Sequence, residues 1–214
     1  MSTAIAIFVK TPGLSRVKTR LAADIGHARA REFYALSLDA VQQTVQSVPV
    51  AAYWAVAEAD GVHDPRWQDF NTLYTGTGCL GQRQYHIYQT LLATYDRVLL
   101  IGADAPHLSK THLEAAITAL ESQDYVIGPA HDGGYYLLGG RRPIPMESWT
   151  AVPWSTSRTR AVLEDQLPAE LIHLSWLSDV DHISDLALVH QEAGAAMTPA
   201  QMQCMQWIEA FLQE

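Results

Sequence analysis

Short, unbroken apolar runs alternate with longer stretches of helical periodicity along the chain, and this alternation restricts the fold more than any other feature of the sequence. Residues 4–9 (AIAIFV), 50–56 (VAAYWAV) and 98–101 (VLLI) read as strands, as do 125–127, 135–138 and 171–174. Between them lie helical patterns. Residues 28–45 carry Phe33, Leu36, Ala40, Val41 and Val45 at helical spacing. Further helices are expected over 84–95, over 111–120 with Ser109 as N-cap, over 158–167 and over 183–192. A last one runs from Thr198–Pro199 to about Leu212, because a threonine cap followed by proline suits a helix start. Strands that are apolar on both sides must be covered on both sides. The expected fold is therefore α/β, a three-layer α/β/α sandwich with a mostly parallel central sheet. In such sheets ligands sit at the carboxyl ends of the strands, so the segments following those runs are where chemistry is expected.

The length of 214 residues suits one domain spanning 1–214. Charged residues make up 17% and the net charge is −9, which argues against a nucleic-acid binder relying on overall positive charge. Only two cysteines are present, Cys79 and Cys204, without metal-ligand spacing, in keeping with a reducing compartment. No apolar run approaches membrane-spanning length, and the first one is too short for a signal-peptide core. The expectation is a soluble cytoplasmic protein with no membrane partner.

After the first strand comes KTPGLSRVKTRL. Four of the fourteen basic residues, Lys10, Arg16, Lys18 and Arg20, fall here with no acid among them. Such a loop suits an anionic ligand, with lysine as a point charge and arginine as a forked donor; a solvated surface loop is the plainer alternative. It is not a Walker loop. After 98–101 comes GADAP. Asp104 in this small-residue turn either reaches a divalent cation or simply caps the turn. After 125–127 comes GPAHDGGYYLLG. Asp132-Gly133 signals a tight hairpin, and Gly133 and Gly134 let backbone approach a ligand. Tyr135 and Tyr136 alternate with the pleat, so the two rings point to opposite faces, one available to the core and one to a ligand. After 171–174 comes LSDVDH, in which Asp179 and Asp181 share a side if extended; Asp181 is a metal carboxylate or a helix cap. Trp154 lines a ligand pocket or anchors the core, and residues 155–157 offer helix caps. The amphipathic C-terminal segment packs on its own core or on a second subunit, leaving a homodimer open.

These segments, in this order, resemble the bacterial DUF2064 family, also described as radical-SAM or selenodomain-associated transferases. The shared motifs run from about residue 3 to residue 188. That family is classed with nucleotide-diphospho-sugar transferases of GT-A fold, and some members are named as arsenosugar-biosynthesis glycosyltransferases. The chain is similar, more distantly, to small guanylyltransferases. The resemblance implies a metal-dependent glycosyltransferase using a nucleotide-sugar donor, in arsenosugar or related small-molecule biosynthesis, with magnesium or manganese as cofactor and a small-molecule acceptor as partner. Nucleotidyl transfer releasing pyrophosphate and a non-catalytic nucleotide-binding module are the alternatives. Lys10, Lys18 and Arg20, with Thr11, Pro12 and Gly13, match the nucleotide-phosphate loop. Asp104 matches a metal-binding and catalytic acid, Asp181 a second metal acid, and Asp132 a catalytic acid. Gly133 and Gly134 match the motif beside the sugar or acceptor, and Tyr135 and Trp154 are substrate-binding candidates. Gln82 departs from the family pattern, where an acid is expected.

Overall fold

The computed structural model describes residues 1–169 and 171–213. In chain order the elements are β1 (Thr3–Val9), α1 (Thr19–Ile25), α2 (His27–Gln46), β2 (Ala51–Val56), β3 (Asn71–Tyr74), α3 (Leu80–Leu92), β4 (Arg97–Gly102), α4 (Lys110–Ala119), β5 (Tyr125–Pro129), β6 (Tyr135–Gly140), α5 (Met146–Thr150), α6 (Thr159–Gln166), β7 (Leu171–His173), α7 (Ile183–Glu192) and α8 (Pro199–Leu212). One sheet runs β3-β2-β1-β4-β6-β5-β7. All neighbours pair in parallel except β6, which is antiparallel to both β4 and β5. Its direction follows from the Asp-Gly turn at 132–133, too short for anything but a hairpin.

Period-2 alternation divides β1 between two cores. Ile5, Ile7 and Val9 face Leu38, Val41 and Val45 of α2 and Leu113 of α4, while Ala4 and Ala6 lie with Ile87 and Tyr88 of α3 and Trp149 of α5. This is the three-layer sandwich. A third core joins Leu21, Phe33, Leu186, Cys204 and Ile208, so α7 and α8 form an added helical tier over α2. The C-terminal helix thus packs on its own chain. Among the described residues no helix is long and apolar enough to cross a membrane.

The helix ends follow their sequence signals. Ser109 accepts from His112 N, and Thr198 from Gln201 N, as N-caps. Gln82 accepts from Cys79 N at 2.9 Å, the reciprocal arm of a capping box that glutamine serves as well as glutamate. The departure at position 82 is thus a helix cap. Residue 158, not 155–157, precedes α6.

The chain runs outward from β1 to β2 and β3 and then returns to β4, so the order in which strands are added reverses between the parallel neighbours β1 and β4. The basic loop after β1 and the Asp104 turn after β4 therefore flank the crevice where open α/β sheets bind ligands.

Candidate functional site

The basic loop folds back onto the acids. Lys18 takes a left-handed conformation (φ 47°) as N-cap of α1, and its side chain is only 3% exposed. Its ammonium lies 2.5 Å from Asp104 Oδ1 and donates to Val180 O at 2.5 Å. A lysine removed from water this far needs a counter-charge, and Asp104, 49% exposed, supplies it. Arg20 pairs with Asp181. Lys10 is exposed and its backbone is held by Tyr34, whose hydroxyl accepts from Lys10 N at 3.0 Å and donates to Lys10 O at 2.9 Å. Thr11 is buried; its N–H donates to Glu58 at 2.8 Å, while Thr11 Oγ1 and Glu58 Oε1 have no hydrogen-bond partner among the described residues. Arg66 donates to Pro12 O at 3.0 Å. Pro12 and Gly13 line a cavity of about 360 Å³ together with Arg16, His27 and Arg31, so its wall is cationic.

The Asp104 turn is held from four sides. Ser37 Oγ donates to Ala103 O, Val180 N donates to Asp104 O at 3.0 Å, and the buried Gln201 of α8 donates to both Pro106 O and Leu108 O at 3.0 and 2.9 Å. Glu192, at the end of α7, reaches the same turn through the buried His107 at 3.0 Å and also accepts from Ser178 N and Oγ. Burial pushes Glu192 up, but the Ser178 and His107 contacts outweigh it and hold its carboxyl below the usual range.

Asp181 does not cap α7. Asp185 does so, accepting from Asp181 N at 2.9 Å and His182 N at 2.7 Å, which leaves the Asp181 carboxylate to Arg20. Asp132 accepts from Gly134 N at 2.7 Å across its own turn, and Gly133 (φ 92°) donates to Ala130 O and lies against the Ser157 backbone. Tyr135 sends its hydroxyl to Gln84 at 2.5 Å, whereas Tyr136 is buried on the other face. Trp154 donates to Trp149 O at 2.9 Å and stacks on that ring, so the indole is an anchor within this wall.

Asp179 is the acid that sequence reasoning placed beside Asp181 without assigning it a role. Burial first, then the charges of Asp132, Asp181 and Asp104, push its carboxyl up to about 7. Four carboxylates from three loops therefore share one electrostatic field. Because the folded value lies above the unfolded one near 4, ionisation of Asp179 weakens the fold as pH rises from about 4 through 7. Asp179→Asn is expected to raise Tm at pH 8 by about 4–8 °C, from roughly 2 kcal/mol at about 2–4 °C per kcal/mol. At pH 4 it should leave Tm unchanged; equal shifts at both values in thermal melts would refute this assignment.

All-oxygen carboxylate donors suit a hard divalent cation, and a cation would relieve the repulsion that adds to burial in raising Asp179. Among the described residues no trio of histidine, cysteine or acid side chains is already arranged around a common point.

The architecture has known relatives. The chain is 24% identical to a candidate nucleotide-diphospho-sugar transferase from Desulfovibrio desulfuricans G20, with a TM-score of 0.87 over 100% of this chain and 98% of that one. It shares its fold with CMP:2-keto-3-deoxy-manno-octonic acid synthetase in complex with CTP, at 12% identity and TM-score 0.57 over 90% of this chain and 100% of that one. It also shares it with 4-diphosphocytidyl-2C-methyl-D-erythritol synthase from Anaerococcus prevotii DSM 20548, at 12% identity and TM-score 0.56 over 100% and 96%. No curated protein matches the chain in sequence. The fold is that of the nucleotide-diphospho-sugar transferases and nucleotidyltransferases. Residues 37–156, which carry the Asp104 turn, the Asp132 hairpin and Trp154, match the model of one family. The chain belongs to that family, DUF2064, described as uncharacterized protein conserved in bacteria.

Proposed function

We propose that this protein is a divalent-cation-dependent transferase that moves a sugar from a nucleoside-diphosphate donor to a small-molecule acceptor. The observation that carries the reading is the gathering of Asp104, Asp132, Asp179 and Asp181 on one strand-end edge, opposite a basic loop, at the reversal point of the sheet. Asp104, Asp179 and Asp181 would hold magnesium or manganese, which when bound supplies positive charge against the departing diphosphate. Lys18 neutralises and positions Asp104, and Arg20 does the same for Asp181. Lys10 and Arg16 make no ion pair among the described residues and are the loop cations free to meet phosphate. Asp132, exposed beside the Gly133–Gly134 turn, would accept a proton from an acceptor hydroxyl.

Calorimetry with nucleoside di- and triphosphates and nucleotide sugars, with magnesium or manganese and then with chelator, tests the reading. Metal-dependent binding of a nucleotide sugar and release of nucleoside diphosphate on turnover are expected. Nucleotidyl transfer is the second reading, favoured by the fold shared with a CTP-bound synthetase; triphosphate binding alone with pyrophosphate release would establish it instead.

The two groups of loop cations separate in a salt titration. Arg16→Gln is expected to weaken nucleotide binding about threefold to tenfold and flatten its dependence on ionic strength, because an exposed cation acts through screened charge. Lys18→Met is expected to lower affinity with the salt slope unchanged, since its ammonium is buried on Asp104. A flattened slope in Lys18→Met would place that ammonium on the phosphates.

A further inference from the structure

Beyond β7 the chain stays extended along β5. Leu174 N donates to Ile127 O at 2.8 Å, Leu177 N to Pro129 O at 3.2 Å, and His131 N to Leu177 O at 3.3 Å. This pairing sets Trp176 beside His131, one residue before Asp132. The two rings lie 5.3 Å apart between centroids and are tilted by 31°. Arg160 of α6 brings its guanidinium to 4.9 Å from the Trp176 ring centre. Arg160 is itself fixed, through its N–H to Gly133 O at 3.0 Å and its Nη1 to Glu164 at 2.6 Å. With both neighbours in place Trp176 remains 47% exposed, and the His131 side chain is 54% exposed.

A lone apolar residue on a surface needs no explanation. Trp176 is not alone: indole, imidazole and guanidinium come from three separate segments to one spot. They stand at the carboxyl edge of the sheet, next to the acid that shares its field with Asp179.

We propose that Trp176, with His131 and Arg160, forms the acceptor subsite, and that its occupant is an uncharged hydroxylated ring, a sugar or cyclic polyol. The inference rests on the transferase reading above. The C–H face of such a ring covers the exposed indole, and its hydroxyls donate to Asp132 and exchange hydrogen bonds with His131. Charge argues against an anionic acceptor. Arg160 is already engaged by Glu164, and four aspartates crowd the same edge.

Saturation-transfer NMR tests this with methyl α-glucopyranoside, methyl β-galactopyranoside, myo-inositol and adenosine as probes, in the presence of magnesium. The wild-type protein is expected to saturate ring protons of at least one sugar or of inositol. Trp176→Ala should weaken that contact about tenfold, as loss of an aromatic stacking partner predicts, and Trp176→Phe should recover most of it. Calorimetric nucleotide binding should be the same in all three proteins, which also shows that the variants are folded. The proposal falls if no sugar or polyol is contacted, if the contact survives in Trp176→Ala, or if adenosine alone is contacted. Failure of the transferase reading shows separately, as wild-type protein that binds no nucleotide.

Discussion

Asp104→Asn is expected to lose metal-dependent nucleotide binding by about a hundredfold, the equivalent of removing one strong charged contact of about 1.5–3 kcal/mol, and to fold with a lowered Tm because the Lys18 ammonium loses its counter-charge. Asparagine keeps a carbonyl oxygen where Asp104 Oδ1 meets the Lys18 ammonium, so the buried lysine retains an acceptor in addition to Val180 O. The backbone bond from Val180 N to Asp104 O does not involve the side chain at all. Charge is lost while geometry is kept, and this makes the variant informative. Asp104→Ala is a poorer test, because it strands a 3% exposed ammonium and mixes instability with lost binding. Calorimetry of nucleotide with magnesium and with chelator reads the result. Wild-type metal dependence surviving in Asp104→Asn would remove Asp104 from the site.

Gly133→Val is expected to lower Tm by roughly 10 °C, from about 3–5 kcal/mol at about 2–4 °C per kcal/mol. Two causes add at this position. The backbone is at φ 92°, which a β-branched residue resists, and a Cβ there would collide with the carbonyl and Cα of Ser157. Neither side is free to yield, since Gly133 O also receives Arg160 N at 3.0 Å. Gly26→Ala is the control. Gly26 has φ 86° but no atom of the described residues lies within 4 Å of its missing Cβ, so only the backbone strain of about 1 kcal/mol is expected. Equal Tm losses in the two variants, measured by calorimetric melting, would show that the Ser157 contact contributes nothing.

Sequence reasoning reached the strands and the acids at their ends, because buried parallel strands are unbroken apolar runs and the loops after them are polar. It stopped short where the signal was local or absent. α1 hides inside the basic loop, starting from a left-handed Lys18 with no capping side chain, so nothing in TRLAADI separates it from a solvated segment. β3 is four residues long, and α5 is five; neither is long enough to show a period. From sequence Lys18 reads as a phosphate ligand, because charge in a loop implies exposure. Only the tertiary meeting of Asp104 and the 180 carbonyl reveals that the ammonium is buried. Asp181 reads locally as a helix cap or a metal carboxylate, and Asp185 takes the capping role in the structure, an exchange between two acids four residues apart that local pattern does not resolve. Trp176 carries no signal in the sequence because its partners, His131 and Arg160, are distant along the chain and become neighbours only through β5 and α6.

The double clamp of Gln201 on the Asp104 turn has a consequence for the order in which the protein is made. The turn is synthesised about halfway along the chain, yet the amide that holds Pro106 and Leu108 belongs to α8, some hundred residues later. A nascent chain lacking α8 can pair β1, β2 and β4 while its central acid stands on an unbraced turn. Ribosome-bound intermediates should therefore acquire the sheet first and the ligand site only when the helix ending at Leu212 has left the exit tunnel.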